Sequence, residues 1–188
     1  MQKNQLTPKE KFDNFIKILN YDLDQFVYVY IMQDYVKENN CRDLLELGVR
    51  GGFSTLGLLY ACEAYDARLW SMDNATKESD QFGFDEVTRT QNAIKNSGLE
   101  KYWAFTQCND LNYECNKEYD LIFIDTSHAY KQTLLELDKF SKYIKVGKTI
   151  FLHDTLHQNH CIDVTGAVAK FMSNDFIRNH LKVRGRWT

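Results

Sequence analysis

The sequence predicts an α/β fold, a doubly wound, mostly parallel sheet with helices on both faces. Three observations predict it. Short apolar runs alternate with helical patterns from about residue 40 onward, the order that builds parallel strands through right-handed crossovers. The run Leu44-Leu45-Glu46-Leu47 passes through Gly48, Gly51 and Gly52 into the helix start at Ser54-Thr55, a strand, turn and helix that let a ligand approach the backbone. Later strands end in polar residues, and such sheets bind ligands beyond the carboxyl ends of their strands, where the strand order reverses.

The elements follow in order. Pro8, the single proline, suits the start of a helix, and Phe12, Phe15, Ile16 and Leu19, then Phe26, Val27, Tyr30, Ile31 and Tyr35, recur at helical spacing. This predicts two helices between residues 8 and 39, packed on the sheet edge or over the site. Strands are expected near 43–47, 68–72, 103–107, 120–124 and 148–152, with another at 181–187. Helices are expected near 54–65, 85–97, 129–143 and 163–178. The N-terminal helices (1–40) and the ligand-binding part (41–188) form one domain, as the 188-residue length favours.

Composition excludes several function classes. A net charge of −3 with 23 scattered basic residues leaves no footprint for nucleic acid or an anionic membrane. The apolar runs are strand-sized, and Met1-Gln2-Lys3-Asn4-Gln5 lacks the apolar core of a signal peptide, so a soluble cytoplasmic protein is expected. Five cysteines without a C-x-x-C pair read as reduced structural thiols.

The spacing Gly48, Gly51, Gly52 is not the G-x-G-x-x-G that cradles a pyrophosphate. Glu46 would repel phosphates but suits a ligand bearing ammonium, hydroxyl and sulfonium groups, while Ser54 or Thr55 can satisfy free amides where the helix begins. Asp73 falls 21 residues after Gly52, where a carboxylate accepts ribose hydroxyls; alone it reads equally as a turn or cap residue. Asn109 and Asp110, after the third strand, suit an adenine edge or a solvated turn.

The fourth strand delivers Asp125 and, three residues on, His128; the fifth delivers His153, Asp154 and Thr155. If these strands are neighbours, their ends lie roughly 5 Å apart, and two carboxylates can share a divalent cation such as magnesium. Histidine as a residue type titrates close to neutral pH, which makes His128 the candidate base, or else it caps the following helix. His153, His157 and His160 form no zinc motif and read as a polar loop, with His153 within reach of the metal.

These residues (Glu46-Leu47-Gly48 with Gly52 and Ser54, Asp73, Phe123-Ile124-Asp125-Thr126-Ser127-His128 and His153-Asp154-Thr155) resemble those of class I S-adenosylmethionine-dependent methyltransferases across roughly residues 40–175. More narrowly they resemble the metal-dependent O-methyltransferase branch, which includes catechol O-methyltransferase, methyltransferase family 24 and the macrolide-sugar enzymes. The stretch Gly147–Thr155 followed by Gly166–Phe171 is especially similar to the bacterial family 24 group. The resemblance implies a Rossmann-like sheet of order 3-2-1-4-5 with strand 6 or 7 at the edge; the last strand of that fold is expected to be either trimmed from this sequence or missing, the latter leaving an edge suited to a homo-oligomer.

It also implies that Glu46, Gly48, Gly51, Gly52 and Ser54 hold the methionine part of S-adenosylmethionine. Asp73 then holds the ribose, Asn109 and Asp110 the adenine, Asp125 and Asp154 a divalent metal with help from His153, and His128 is the base with Asp125 beside it. The implied reaction methylates a hydroxyl of a small-molecule acceptor, a sugar or glycosylated metabolite. Thr155 departs from a metal-binding asparagine and His153 from a glutamate of the resembled groups. The alternatives are a nicotinamide-dependent oxidoreductase and a catalytically silent methyltransferase-like binding module.

Overall fold

The computed structural model describes residues 5–74, 83–155 and 162–173. Helix α1 (Pro8–Ile18) begins with a reciprocal cap: the Glu10 amide donates to the Thr7 hydroxyl, and the Thr7 amide donates to the Glu10 carboxylate. Such a cap contributes about 1 kcal/mol. A single 3-10 turn, Leu23–Phe26, leads into α2 (Val27–Glu38). Then come β1 (Asp43–Leu47), α3 (Phe53–Tyr65), β2 (Arg68–Asp73), α4 (Gly83–Asn96) and β3 (Trp103–Gln107). The described chain closes with β4 (Tyr119–Ile124), α5 (Tyr130–Phe140), β5 (Ile144–Leu152) and α6 (Ile162–Met172).

All strand pairs are parallel and the order is β3-β2-β1-β4-β5, as the sequence predicts. The chain runs outward from β1 through β2 to β3, then returns to place β4 on the other side of β1, so the order reverses between β1 and β4. Strand residues alternate between two cores. Leu44, Leu69, Leu121 and Phe123 face α2, α3 and α4, whereas Leu45, Leu47, Ile122 and Ile124 face α5 and α6. Register aligns the strand ends: Leu47 lies opposite Met72 and Ile124, and Ile124 opposite Leu152.

The N-terminal helices lie on this scaffold. α1 and α2 pack on α3, with Phe12, Phe26 and Phe53 in a common aromatic cluster. Tyr28 and Tyr35 of α2 reach the sheet, packing on Phe123 and Phe151.

Three boundaries differ from expectation by three residues or more. Strand β5 begins at Ile144 instead of 148, because Gly147 takes φ +79° and the register shifts between Tyr119 and Leu121, carrying the exposed Val146 in the outer strand. Helix α5 stops at Phe140 instead of 143, since the Tyr143 carbonyl already accepts from the Tyr119 amide of β4 at 2.7 Å. Helix α6 stops at Met172 instead of 178, with Ser173 already in a turn, and the expected strand at 181–187 lies outside the described residues. Among those described, no helix is long and apolar enough to cross a membrane, and Cys41, Cys62, Cys108 and Cys115 are free thiols.

A buried carboxylate ties the centre of the sheet to its first helix. Glu46 is wholly enclosed and accepts from Ser54 Oγ at 2.7 Å, Thr55 Oγ1 at 2.8 Å and Ser71 Oγ at 2.7 Å. Ser71 Oγ in turn accepts from Trp103 Nε1 at 2.9 Å, so one network joins β1, α3, β2 and β3. Burial pushes the Glu46 carboxyl up to about 7, against the pull of its three hydroxyl partners.

Two predictions arise. Gly48 has φ +91°, and a Cβ there would lie 1.9 Å from the Asp125 carbonyl oxygen, whereas at Gly147 (φ +79°) it would meet nothing within 4 Å. By thermal or urea denaturation, Gly48→Ala is expected to cost more than about 3 kcal/mol and Gly147→Ala about 1–2 kcal/mol, the backbone part alone. Glu46 generates a pH slope: with its folded value near 7 and its ordinary value 4.5, the native state binds the extra proton between them. Its stabilising contribution is therefore full below about 4.5 and lost as pH rises through about 7. Glu136, buried and also raised, adds a slope of the same sign. Glu46→Gln should flatten the decline in stability from pH 4.5 to 7 without abolishing it.

Candidate active site at the strand ends

The glycine turn leaves β1 at the point of strand reversal. The Gly48 amide donates to the Met72 carbonyl at 2.8 Å, and the Val49 and Arg50 amides donate to Asp73 Oδ2 at 2.8 and 3.0 Å. Asp73 thus stands at the end of β2 as expected and also braces the turn. Gly52 is in the left-handed region (φ +74°), where a Cβ would strike the Thr90 side chain; it starts α3 without a side-chain cap. Gly51 lies between, under the Phe53 ring. Ser54 and Thr55, expected to satisfy helix amides, direct their hydroxyls to Glu46 instead. The sequence reading placed Glu46 against the ligand, but the structure encloses its carboxylate beneath the turn.

Beyond β3, Asn109 Oδ1 accepts from the Leu111 amide at 2.9 Å and caps a 3-10 turn, Asp110–Asn112. Asp110 is buried and turned toward α5. Its Oδ1 accepts from Gln132 Nε2 at 3.1 Å, and the same nitrogen donates to Glu136 at 2.7 Å. Thr126 Oγ1 also donates to Glu136, at 2.8 Å. Burial and the neighbouring Asp110 charge raise Glu136.

The ends of β4 and β5 bring four chemical side chains together. The Asp125 amide donates to the Leu47 carbonyl at 2.9 Å and the His153 amide to the Ile124 carbonyl at 3.0 Å, which sets these residues side by side. His128 and Asp154 both adopt left-handed backbone (φ +57° and +52°). His128 Nε2 lies 3.0 Å from Asp125 Oδ1 and 3.2 Å from Asp154 Oδ2. His153 Nδ1 lies 3.2 Å from Asp154 Oδ1 and 3.6 Å from Asp125 Oδ1. One donor atom from each of the four falls within 4.8 Å of all the others. The hydrogen bond to Asp125 raises His128 above its ordinary value, with the Asp125 and Asp154 charges adding to it and partial burial opposing.

Two imidazole nitrogens and carboxylate oxygens at this spacing fit a divalent cation. The strongest sign is His153 Nδ1, shielded from solvent and without a hydrogen-bond partner beside two carboxylates. Sequence reasoning brought Asp125, His128, His153 and Asp154 to this centre but missed Tyr28 of α2. The Tyr28 ring packs edge-on against His153 at 4.6 Å and stacks on Phe123. Burial raises its hydroxyl, and the charges of Asp125, Glu46 and Asp154 add to the shift. The readable signal was the seven-residue spacing of Tyr28 and Tyr35, which puts both on one helical face. Thr155 holds α6 through its carbonyl, which accepts from Thr165 Oγ1 at 2.9 Å. His157 and His160 lie outside the described residues.

A surface concavity of about 480 Å³ lies at the opposite, amino end of the strands, lined among others by Arg42, Asp43 and Arg68. Its arginines are spent on backbone carbonyls of Tyr65, Asp66 and Lys101, and it is separate from the centre above.

Known proteins bear on this geometry. A methyltransferase domain profile, that of family 24, matches residues 45–155, more than half of the chain, while no curated protein matches. Among solved structures, the SAH-bound methyltransferase PaMTH1 of Podospora anserina superposes with TM-score 0.62 at 14% identity, over 79% of this chain and 70% of that one. The O-methyltransferase of Bacillus cereus in complex with SAH gives 0.59 at 14%, over 92% and 80%. The O-methyltransferase TomG of Streptomyces achromogenes, in complex with SAM, gives 0.57 at 12%, over 92% and 79%. At these identities the likeness is one of fold. With the profile spanning the glycine turn, Asp73 and both ends of the four-residue centre, the chain belongs to methyltransferase family 24.

Proposed function

We propose that this methyltransferase uses S-adenosylmethionine to methylate a hydroxyl of a small molecule, a sugar or glycosylated metabolite, with help from a divalent cation at Asp125, His153 and Asp154. The observation that carries the proposal is the convergence, at one sheet edge, of the glycine turn braced by Asp73 and the Asp125–His128–His153–Asp154 centre. Similar folds described with SAH or SAM support the choice of methyl donor.

On this reading the start of α3, which has no side-chain cap, faces the carboxylate end of the methionine part, where a helix N-terminus favours negative charge. Asp73 serves the ribose from the end of β2. Asn109 and Asp110 border the adenine, Asp110 from within the α5 contact. Glu46 acts from beneath, fixing Ser54 and Thr55 and hence the turn. When bound, a divalent cation would polarise the acceptor hydroxyl and ease loss of its proton to solvent at the open side of the site. Asp125 and Asp154 orient that hydroxyl toward the methyl group, and Tyr28 and Phe123 exclude water from the inner side. Alignment and exclusion of water then supply much of the acceleration, because a direct methyl transfer needs no covalent enzyme intermediate.

Calorimetry of the purified chain should show S-adenosylhomocysteine binding and no response to NAD. Asp73→Asn, which keeps an acceptor for the turn amides, should weaken S-adenosylhomocysteine about tenfold or more, the scale of a lost charged hydrogen bond. NAD binding without S-adenosylhomocysteine binding would select the oxidoreductase instead. With an acceptor in hand, Asp125→Asn should lower the rate of S-adenosylhomocysteine release by about 100-fold or more. A full rate in that variant and in EDTA would show that the cation takes no part.

A further inference from the structure

We infer that the cation of this centre is a first-row transition ion held by both imidazoles, which makes His128 a ligand in place of the base that the sequence suggests. The inference rests on the metal-assisted reading above and concerns which ion is held and by which residues.

Two observations carry it. His153 Nδ1 is closed off from solvent and makes no hydrogen bond, yet carboxylate oxygens of Asp154 and Asp125 stand 3.2 and 3.6 Å away. An imidazole nitrogen and two carboxylates that converge without a hydrogen bond to join them are the arrangement a shared cation would complete. The ring is held in this orientation by Tyr28, edge-on at 4.6 Å, and by Phe123 at 6.4 Å. Second, His128 Nε2 lies within 3.2 Å of both carboxylates, while its Nδ1 forms no ion pair with either. Nε2 thus stands between the two acids, where a donor atom of a shared cation would stand.

The size of the cluster fits a single ion. Donor atoms within 4.8 Å of one another need contract only slightly, since metal–ligand bonds of about 2.0–2.2 Å separate opposed donors by at most about 4.4 Å. The donor set discriminates between ions. Magnesium takes oxygen ligands and sheds water reluctantly, whereas imidazole suits zinc, iron, nickel and copper, and affinity at mixed nitrogen and oxygen sites rises along the first row. Here two of the four donors are imidazole nitrogens, and Thr155 offers no charge of its own to add a third carboxylate.

The test uses full-length protein stripped with a chelator, then titrated with CoCl2 and with MgCl2 by calorimetry. Visible absorption of bound cobalt is followed alongside. Cobalt should bind at least about 100-fold more tightly than magnesium and show the intensified visible bands of nitrogen ligation. His128→Asn, whose new side chain tolerates left-handed backbone, should lower cobalt affinity about tenfold or more and change the spectrum, while magnesium affinity stays within about twofold. His153→Asn should do the same, and unchanged S-adenosylhomocysteine affinity would report that both variants are folded. Equal affinity for the two ions, or a cobalt spectrum indifferent to His128→Asn, overturns the inference. Binding of S-adenosylhomocysteine with no cation at all overturns it too and removes the metal from the proposed reaction, leaving the methyl donor intact. Cobalt binding as described without S-adenosylhomocysteine binding would uphold the inference and refute the donor instead.

Discussion

The structure depends on one buried carboxylate. Glu46 sits in the middle strand with no exposure and, among the described residues, no cation paired with it, and is tolerated because three hydroxyls converge on it. An unpartnered carboxylate in that position would cost several kcal/mol. Its partners belong to the helix after the glycine turn and to the neighbouring strand, so satisfying this one group fixes the distance and phase of α3 and β2 against β1. The glycine turn lies between those anchor points. Gly48 then fits under the Asp125 carbonyl only because it lacks a Cβ, which couples the turn directly to the end of β4.

From that anchoring the character of the upper edge follows. Asp73 is drawn in by the Val49 and Arg50 amides, and register carries Asp125, His153 and Asp154 to the same rim. Three carboxylates and two imidazoles along one edge favour cationic ligands, and the aromatic wall of Tyr28 and Phe123 lowers the local dielectric, so each charge there acts more strongly than in water. A sulfonium donor and a divalent ion both fit that field, while a pyrophosphate would oppose it. The N-terminal helices thereby become part of the site, because α2 supplies the wall.

How much of this was legible in the sequence depended on the physical signal each element leaves. Strands β1 and β4 are covered on both faces and read as largely apolar runs; β5 opens with Ile144 followed by Lys145, Val146 and Gly147 on an outer edge, and that start left no such run. Strand-end acids were readable because polar residues rarely close an apolar strand without cause. The enclosure of Glu46 was less so, although its phase with Leu44, two residues earlier, places it on the face that α3 covers. What the sequence hid was mutual orientation: that Ser54 and Thr55 turn inward, that Asp110 turns to α5, and that His128 points its Nε2 at both acids. Those facts depend on backbone angles such as the left-handed His128 and Asp154, which no local pattern announces.

The central claim is that the glycine turn and the Asp125–His128–His153–Asp154 centre form a single site for methyl transfer. A crystal structure of the protein with S-adenosylhomocysteine and manganese, with anomalous scattering recorded at the manganese edge, tests it most directly. The account predicts the nucleoside over the turn beside Asp73, its sulfur facing an anomalous peak enclosed by the four side chains. A cofactor product bound elsewhere, or a manganese peak away from these residues, would contradict it.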